Sequence, residues 1–179
     1  MKTLSITPLL EQPDFDFSTF LFLAQMDEVG PQEMRAVLTT WERWLPHLKV
    51  YKLGERKGFA LVYLEECVEE NVDTIWNESA AEGFKHEAIA QTMIMGTLKA
   101  LMPELGEKEC APVPEPTKPL RRTLEKIGLH MQESGALSRK YSTITPYPHR
   151  YGCERCYLKD SCIKHMNLDF SKIMGESKE

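Results

Sequence analysis

The chain has no long apolar run, which excludes a membrane-spanning helix from the predicted elements. Its densest apolar stretch, residues 20–24, is far too short to cross a bilayer. Residues 1–5 carry one positive charge and lack the apolar segment of a signal peptide. We therefore expect a cytoplasmic protein. In a reducing compartment its cysteines are expected to bind a metal rather than to form structural disulfides.

The chain also lacks the short motifs that mark common active sites. It contains no G-x-G-x-x-G and no G-x-S-x-G pattern, and the loop 54–58 lacks the G-x-x-x-x-G-K-[ST] pattern of a phosphate loop. His86 and Glu87 begin like a zinc-protease H-E-x-x-H motif, but residue 90 is alanine. Because nothing identifies a general base or a substrate pocket, the sequence leaves open whether the protein is an enzyme.

What the chain does contain is enough apolar surface for a core, since 42% of its 179 residues are hydrophobic. The patterns predict an α+β fold, mainly helical, with a small antiparallel hairpin or sheet and an irregular C-terminal Cys-rich region. Helices are predicted over residues 20–28, 68–76, 84–101 and 117–133. A further helix is predicted to begin at Pro31, and its apolar stripe consists of Met34, Leu38, Trp41 and Leu45. The predicted strands are 49–53 and 59–64, which form a hairpin, and 141–145.

A proline-rich stretch divides the chain into two parts. Four of residues 110–119 are prolines, which disfavours both a helix and a central strand. We expect an α+β core over residues 1–109. Residues 110–179 would add a proline-rich arm, a helix and a Cys-rich metal-binding segment packed on that core, either as a separate part or within a single domain.

Charge is distributed unevenly between these parts. Residues 1–110 carry 10 Lys and Arg against 19 Asp and Glu, a net −9, whereas residues 111–179 carry 12 against 8, a net +4. Three of the five cysteines, Cys153, Cys156 and Cys162, therefore lie in the basic part of an acidic protein. A basic surround suits an anionic cluster, an acidic partner protein or a nucleic-acid backbone.

The specific signal is a group of three cysteines, Cys153, Cys156 and Cys162, spaced C-x2-C-x5-C. Thiolates this close in an intracellular chain are typical metal ligands. Cys110 on the proline-rich arm is the first candidate for a fourth ligand, and His165 is the alternative. Four thiolates suit a zinc ion or an iron–sulfur cluster, whereas three cysteines and a histidine suit zinc better. Three ligands on one loop with a distant fourth favour a [4Fe-4S] cluster.

The C-x2-C-x5-C spacing with a distal cysteine is similar to the C-terminal cysteines of the iron–sulfur nucleases of the RecB type. This resemblance implies that Cys110 completes the cluster. It does not carry over the nuclease chemistry, because an Asp followed by Glu-x-Lys in a strand is absent and only residues 176–178 of the tail have the Glu-x-Lys spacing.

The function expected from these observations is that of an iron–sulfur protein, a redox, electron-transfer or redox-sensing accessory with a protein partner and no membrane association. The competing hypothesis is a zinc-stabilised binding module for a protein or a nucleic acid. Tyr147, Tyr151 and Tyr157 alternate with Arg150 and Arg155, a mixture that suits stacking on bases or shielding of a cluster. Because the whole chain is acidic, shielding is favoured and nucleic acid is the weaker expectation.

Overall fold

A computed structural model describes residues 3–105, 110–149 and 152–162. Within these ranges the protein has five α-helices and four β-strands, which confirms the α+β class. In chain order the elements are β1 (Ile6–Pro8), α1 (Phe17–Ala24), α2 (Pro31–Trp44), β2 (Leu48–Leu53), β3 (Gly58–Leu64), α3 (Glu66–Glu78), α4 (Ala80–Leu101), α5 (Lys118–Glu125) and β4 (Ser142–Tyr147).

The strands form one antiparallel sheet in the order β1-β2-β3-β4. The predicted hairpin is confirmed: β2 pairs with β3 from Leu48↔Leu64 to Leu53↔Phe59. Its loop contains Gly54 at φ +88°, a left-handed conformation that glycine adopts without strain. The predicted strand near residue 141 is also present, as β4 against β3. The three-residue strand β1 was not predicted.

Both faces of the central strand β3 are covered, so the usual alternation of buried and exposed residues is lost. Ala60, Val62 and Leu64 belong to a first core cluster that includes residues of helices α1 to α4. Leu61 and Tyr63 belong to a second cluster. That second cluster also contains Leu120 and Leu124 of α5, Leu129, Met131 and Ile144.

The part of the chain after residue 110 therefore contributes a strand to the same sheet and most of the second core cluster. Leu120 and Leu124 are fully buried, and burial of each such side chain contributes about 1.5–3 kcal/mol. This packing fixes the ends of the segments that carry the cysteines. The division of the chain at residue 110 itself stays a prediction.

Several predicted helix ends differ from the structure, and two of these differences have a clear local cause. Helix α1 begins earlier than expected, because Asp16 caps it by accepting a hydrogen bond from the Thr19 amide at 3.0 Å. Helix α5 ends at Glu125 rather than near residue 133. The amide of Leu129 donates to the Leu124 carbonyl at 3.0 Å, and Gly128 between them has φ +77°. This left-handed closure stops the helix about two turns before the end predicted at Gly135.

The apolar stripe predicted for α2 is rotated on the helix. Its buried residues are Val37, Thr40, Trp41 and Trp44, whereas Leu38 is 37% exposed. Both stripes satisfy helical spacing and share Trp41, so periodicity did not distinguish them. Packing decided between them, since Val37 and Trp44, which belong only to the observed stripe, are buried in the first core cluster.

Among the described residues, the longest helix is α4, and neither it nor another helix combines the length and apolarity needed to cross a membrane.

Candidate metal centre

The proline-rich arm is an extended segment that precedes α5. Residues 110–117 form no regular element, in agreement with the sequence expectation. Cys110, at its start, is exposed, whereas Pro112 and Pro114 are buried. The arm is therefore anchored by its prolines and presents its cysteine at the surface.

The three clustered cysteines lie on a loop built from successive tight turns. Cys153 lies in a short 3-10 turn, Gly152–Arg155, and Cys162 closes a second one, Lys159–Ser161. Backbone amides connect them in steps of three residues: Cys156 to Cys153 at 3.2 Å, Lys159 to Cys156 at 3.1 Å, and Cys162 to Lys159 at 3.3 Å. Three residues is the repeat of 3-10 geometry, in which side chains three apart lie above one another. Consecutive turns of this kind suit a loop whose thiols serve a common centre.

The arm and the cysteine loop are joined by hydrogen bonds in both directions. The Tyr157 amide donates to the Val113 carbonyl at 2.8 Å. The Val113 amide in turn donates to Cys156 Sγ, with 3.5 Å between nitrogen and sulfur. Cys110 precedes Val113 by three residues, a length of chain that spans at most about 10 Å. The fold thus brings the region of the distal cysteine to the loop, across more than 40 residues of sequence.

Gly135 provides the space in which these two segments meet. It has φ +85°, and a Cβ on this residue would lie 2.6 Å from Val113 Cγ1 and 3.9 Å from Tyr157 Cδ1. Any larger residue would push against the arm where it pairs with the loop. No sequence pattern marks this role, because it depends on contacts between three segments distant in sequence.

The four cysteines of the arm and the loop supply the thiolate ligands that a zinc ion or an iron–sulfur cluster uses. Among the described residues, no three of their sulfur atoms lie within 4.8 Å of one another. All five cysteines lie within the described residues, and none forms a disulfide. Cys156 and Cys162 are partly buried, while Cys110 and Cys153 are exposed. An amide hydrogen directed at Cys156 Sγ stabilises negative charge on that sulfur, as amides do around metal-bound thiolates. His165, the alternative fourth ligand, lies outside the described residues.

The charges near the loop are more balanced than the sequence suggested. Residues 152–162 carry Arg155 and Lys159 against Glu154 and Asp160. The third expected cation, Arg150, lies outside the described residues. The Val113 amide directed at Cys156 Sγ is therefore a clearer source of stabilisation for a thiolate of the described loop than an excess of basic side chains.

No protein-family model, curated protein or solved structure matches the chain. Its function is therefore inferred from the donor atoms and from the contacts that bring them together.

Proposed function

We propose that the protein is an iron–sulfur protein in which Cys110, Cys153, Cys156 and Cys162 hold a [4Fe-4S] cluster. The observation that carries this proposal is the two-way hydrogen bonding between Val113 and the 156–157 segment, which joins the two cysteine-bearing parts of the chain. A bound cluster would supply one-electron redox chemistry. The role proposed for the protein is electron transfer or redox sensing in the cytoplasm.

The residues of the chain would hold and tune such a cluster. The turns of the loop space three thiolates, the arm supplies the fourth, and the Val113 amide donates to one of the ligating sulfurs. Hydrogen bonds to cluster sulfurs favour the more negative, reduced state and raise the reduction potential. The exposed positions of Cys110 and Cys153 would leave one side of the centre near the surface, where a redox partner can approach.

The proposed partner is a protein. The acidic balance of residues 1–110 suits a docking surface for a basic protein and disfavours a nucleic-acid backbone. A nucleic-acid complex would weaken steeply as salt is raised, with loss of affinity on removal of Arg155. Binding with these two properties would contradict the assignment of a protein partner.

The test is reconstitution with iron and sulfide under anaerobic conditions, followed by metal analysis and visible absorption. About four iron and four sulfide per chain, with brown colour, are expected of the intact protein. Colourless protein that binds a single zinc at the cysteines would contradict the cluster and favour a zinc-stabilised module.

Two exposed cysteines offer a matched pair of variants. Cys110→Ser should abolish loading, whereas Cys67→Ser, which removes a cysteine of α3, should load as the wild type does. Full loading of Cys110→Ser would remove Cys110 from the ligand set and favour His165 or an external fourth ligand.

A further inference from the structure

A second group of potential metal ligands lies at the end of the β2–β3 hairpin. Leu48 pairs with Leu64, so the next residue outward on each strand, His47 and Glu65, face each other. The Glu65 amide donates to the His47 carbonyl at 3.1 Å and extends the pairing by one step. Cys67 follows in the first turn of α3. Residues 18 to 20 positions apart are thus brought together by strand register and by the start of a helix.

The ligand atoms of these three side chains converge. His47 Nδ1 lies 2.9 Å from Glu65 Oε2 and 3.3 Å from Cys67 Sγ, and all three atoms lie within 4.8 Å of one another. Imidazole nitrogen, carboxylate oxygen and thiolate sulfur are the three donor types that proteins use for zinc. A single ion could therefore contact all three with small side-chain movements.

One nitrogen of His47 faces both neighbours. With a proton on Nδ1, the Glu65 carboxylate accepts a full hydrogen bond, whereas the Cys67 sulfur is only a weak acceptor. A nucleophilic triad is disfavoured, because its histidine would use one nitrogen toward the thiol and the other toward the carboxylate. With Nδ1 unprotonated, a cation among the three atoms would be bound by all three ligands at once.

Lys49 orients the carboxylate of Glu65 toward the group. Lys49 Nζ lies 3.2 Å from Glu65 Oε1, so the lysine contacts one oxygen and leaves Oε2 directed at His47. Contacts of this kind orient a ligand from the outer shell.

A cavity of about 230 Å³ opens beside the group and leaves room for a further ligand. It is lined by Arg43, Trp44, His47, Cys67, Val68 and Asn71. The Arg43 guanidinium, the cation of this lining, donates to Asn71 Oδ1 at 3.2 Å. His47 and Glu65 are each about 40% exposed, so water reaches the group. Three protein ligands with an open fourth position are typical of zinc sites that exchange a water or substrate, whereas structural sites are closed.

We propose that His47, Glu65 and Cys67 form a second metal site, for a divalent transition-metal ion of the zinc class with water as its fourth ligand. The site is independent of the C-terminal cysteines and of the cluster assigned to them. No short sequence motif marks the group, because His47 lies 18 residues before Glu65 and 20 before Cys67.

The test follows the reactivity of Cys67 itself in the full-length chain. Iodoacetamide labelling is measured with and without zinc, and each cysteine is quantified separately by peptide mass spectrometry. Zinc should slow the labelling of Cys67 by about tenfold or more, because a metal-bound thiolate is a poor nucleophile toward the reagent. His47→Gln and Glu65→Gln should each remove most of that protection. His130→Ala, which changes an exposed histidine away from the group, should retain it.

The outcomes separate the two metal sites. Cys153→Ser should leave the zinc protection of Cys67 unchanged even where it abolishes cluster loading. Equal labelling of Cys67 with and without zinc would overturn the proposal, as would full protection in both His47→Gln and Glu65→Gln. Circular dichroism of the two glutamine variants checks that they are folded, which is expected because both side chains are substantially exposed.

Discussion

Replacement of Gly135 by alanine should weaken both the fold and the proposed cluster site, because this glycine lies where the arm meets the cysteine loop. Two separate costs are expected. The left-handed conformation at φ +85° should destabilise the alanine variant by about 1–2 kcal/mol. Its Cβ would also lie 2.6 Å from Val113 Cγ1, closer than carbon atoms can approach, so the Val113 side chain or the arm that carries it must shift.

The second cost can be isolated with a matched control. Gly128 also has a positive φ, +77°, but a Cβ there would meet no atom within 4 Å. Gly128→Ala should therefore be destabilised only by the left-handed conformation of its backbone. Gly135→Ala should be destabilised by about 1–3 kcal/mol more, which is the usual effect of overpacking a filled site. We expect total destabilisations of about 1–2 kcal/mol for Gly128→Ala and about 2–5 kcal/mol for Gly135→Ala.

The assay is urea unfolding of the metal-free proteins, followed by reconstitution and iron analysis. Gly135→Ala should also load less cluster than Gly128→Ala, because displacement of Val113 carries Cys110 away from the loop. Adding Val113→Ala removes the clashing Cγ1 atom. The double variant should then lose less stability than the sum of the two single changes, which indicates direct coupling between the two positions.

Equal destabilisation by Gly135→Ala and Gly128→Ala would refute this reasoning. So would additive effects of Gly135→Ala and Val113→Ala. Either result would mean that the contact between the arm and Gly135 contributes little to the stability of the native protein.

Two further predictions concern single hydrogen-bonding groups. Val113→Pro removes the amide that donates to Cys156 Sγ. Loss of one hydrogen bond, worth about 1 kcal/mol, should lower the reduction potential of a one-electron couple by about 40 mV. An anaerobic redox titration measures this change. Val113→Ala keeps the amide and should keep the potential; identical potentials in the two variants would contradict the role of the amide. Asp16→Ala should cost about 1 kcal/mol in urea unfolding near neutral pH through loss of the α1 cap. Asp14→Ala, at a neighbouring exposed carboxylate, should cost less.

The pH dependence of the Asp16 effect has a definite sign. Hydrogen bonds from the Thr19 hydroxyl and amide hold the pKa of Asp16 well below its usual range. A carboxyl whose pKa is lowered in the folded state stabilises the protein fully at pH values above the pKa that it has in the unfolded chain, about 3.9. This stabilisation is lost as the pH falls further. The difference between wild type and Asp16→Ala should therefore shrink below about pH 4. A difference that stays constant as the pH falls to 2 would contradict the assignment.

Local signals accounted for much of the fold. The β2–β3 hairpin, the start of α2 at Pro31 and the irregular arm were predictable, because each depends on nearby residues: alternation, a proline at a helix start, and prolines that exclude regular structure. The early end of α5 was not predicted. Gly128 and Gly135 are both plausible helix terminators, and the choice between them was decided by the closure at Leu129 and by its burial in the second core cluster.

By itself, the sequence determined the donor set: three thiols on one short loop, a fourth on a stiff arm, and the absence of a recognised catalytic motif. Ligand type and close spacing are properties of the chain. Only the tertiary structure decided which of the residues that are distant in sequence lie in contact. It paired Val113 with Cys156 and Tyr157, and it placed Gly135 beneath them. It also brought His47, Glu65 and Cys67 together, because strand register and helix start, rather than sequence spacing, set the distance between residues far apart in the chain.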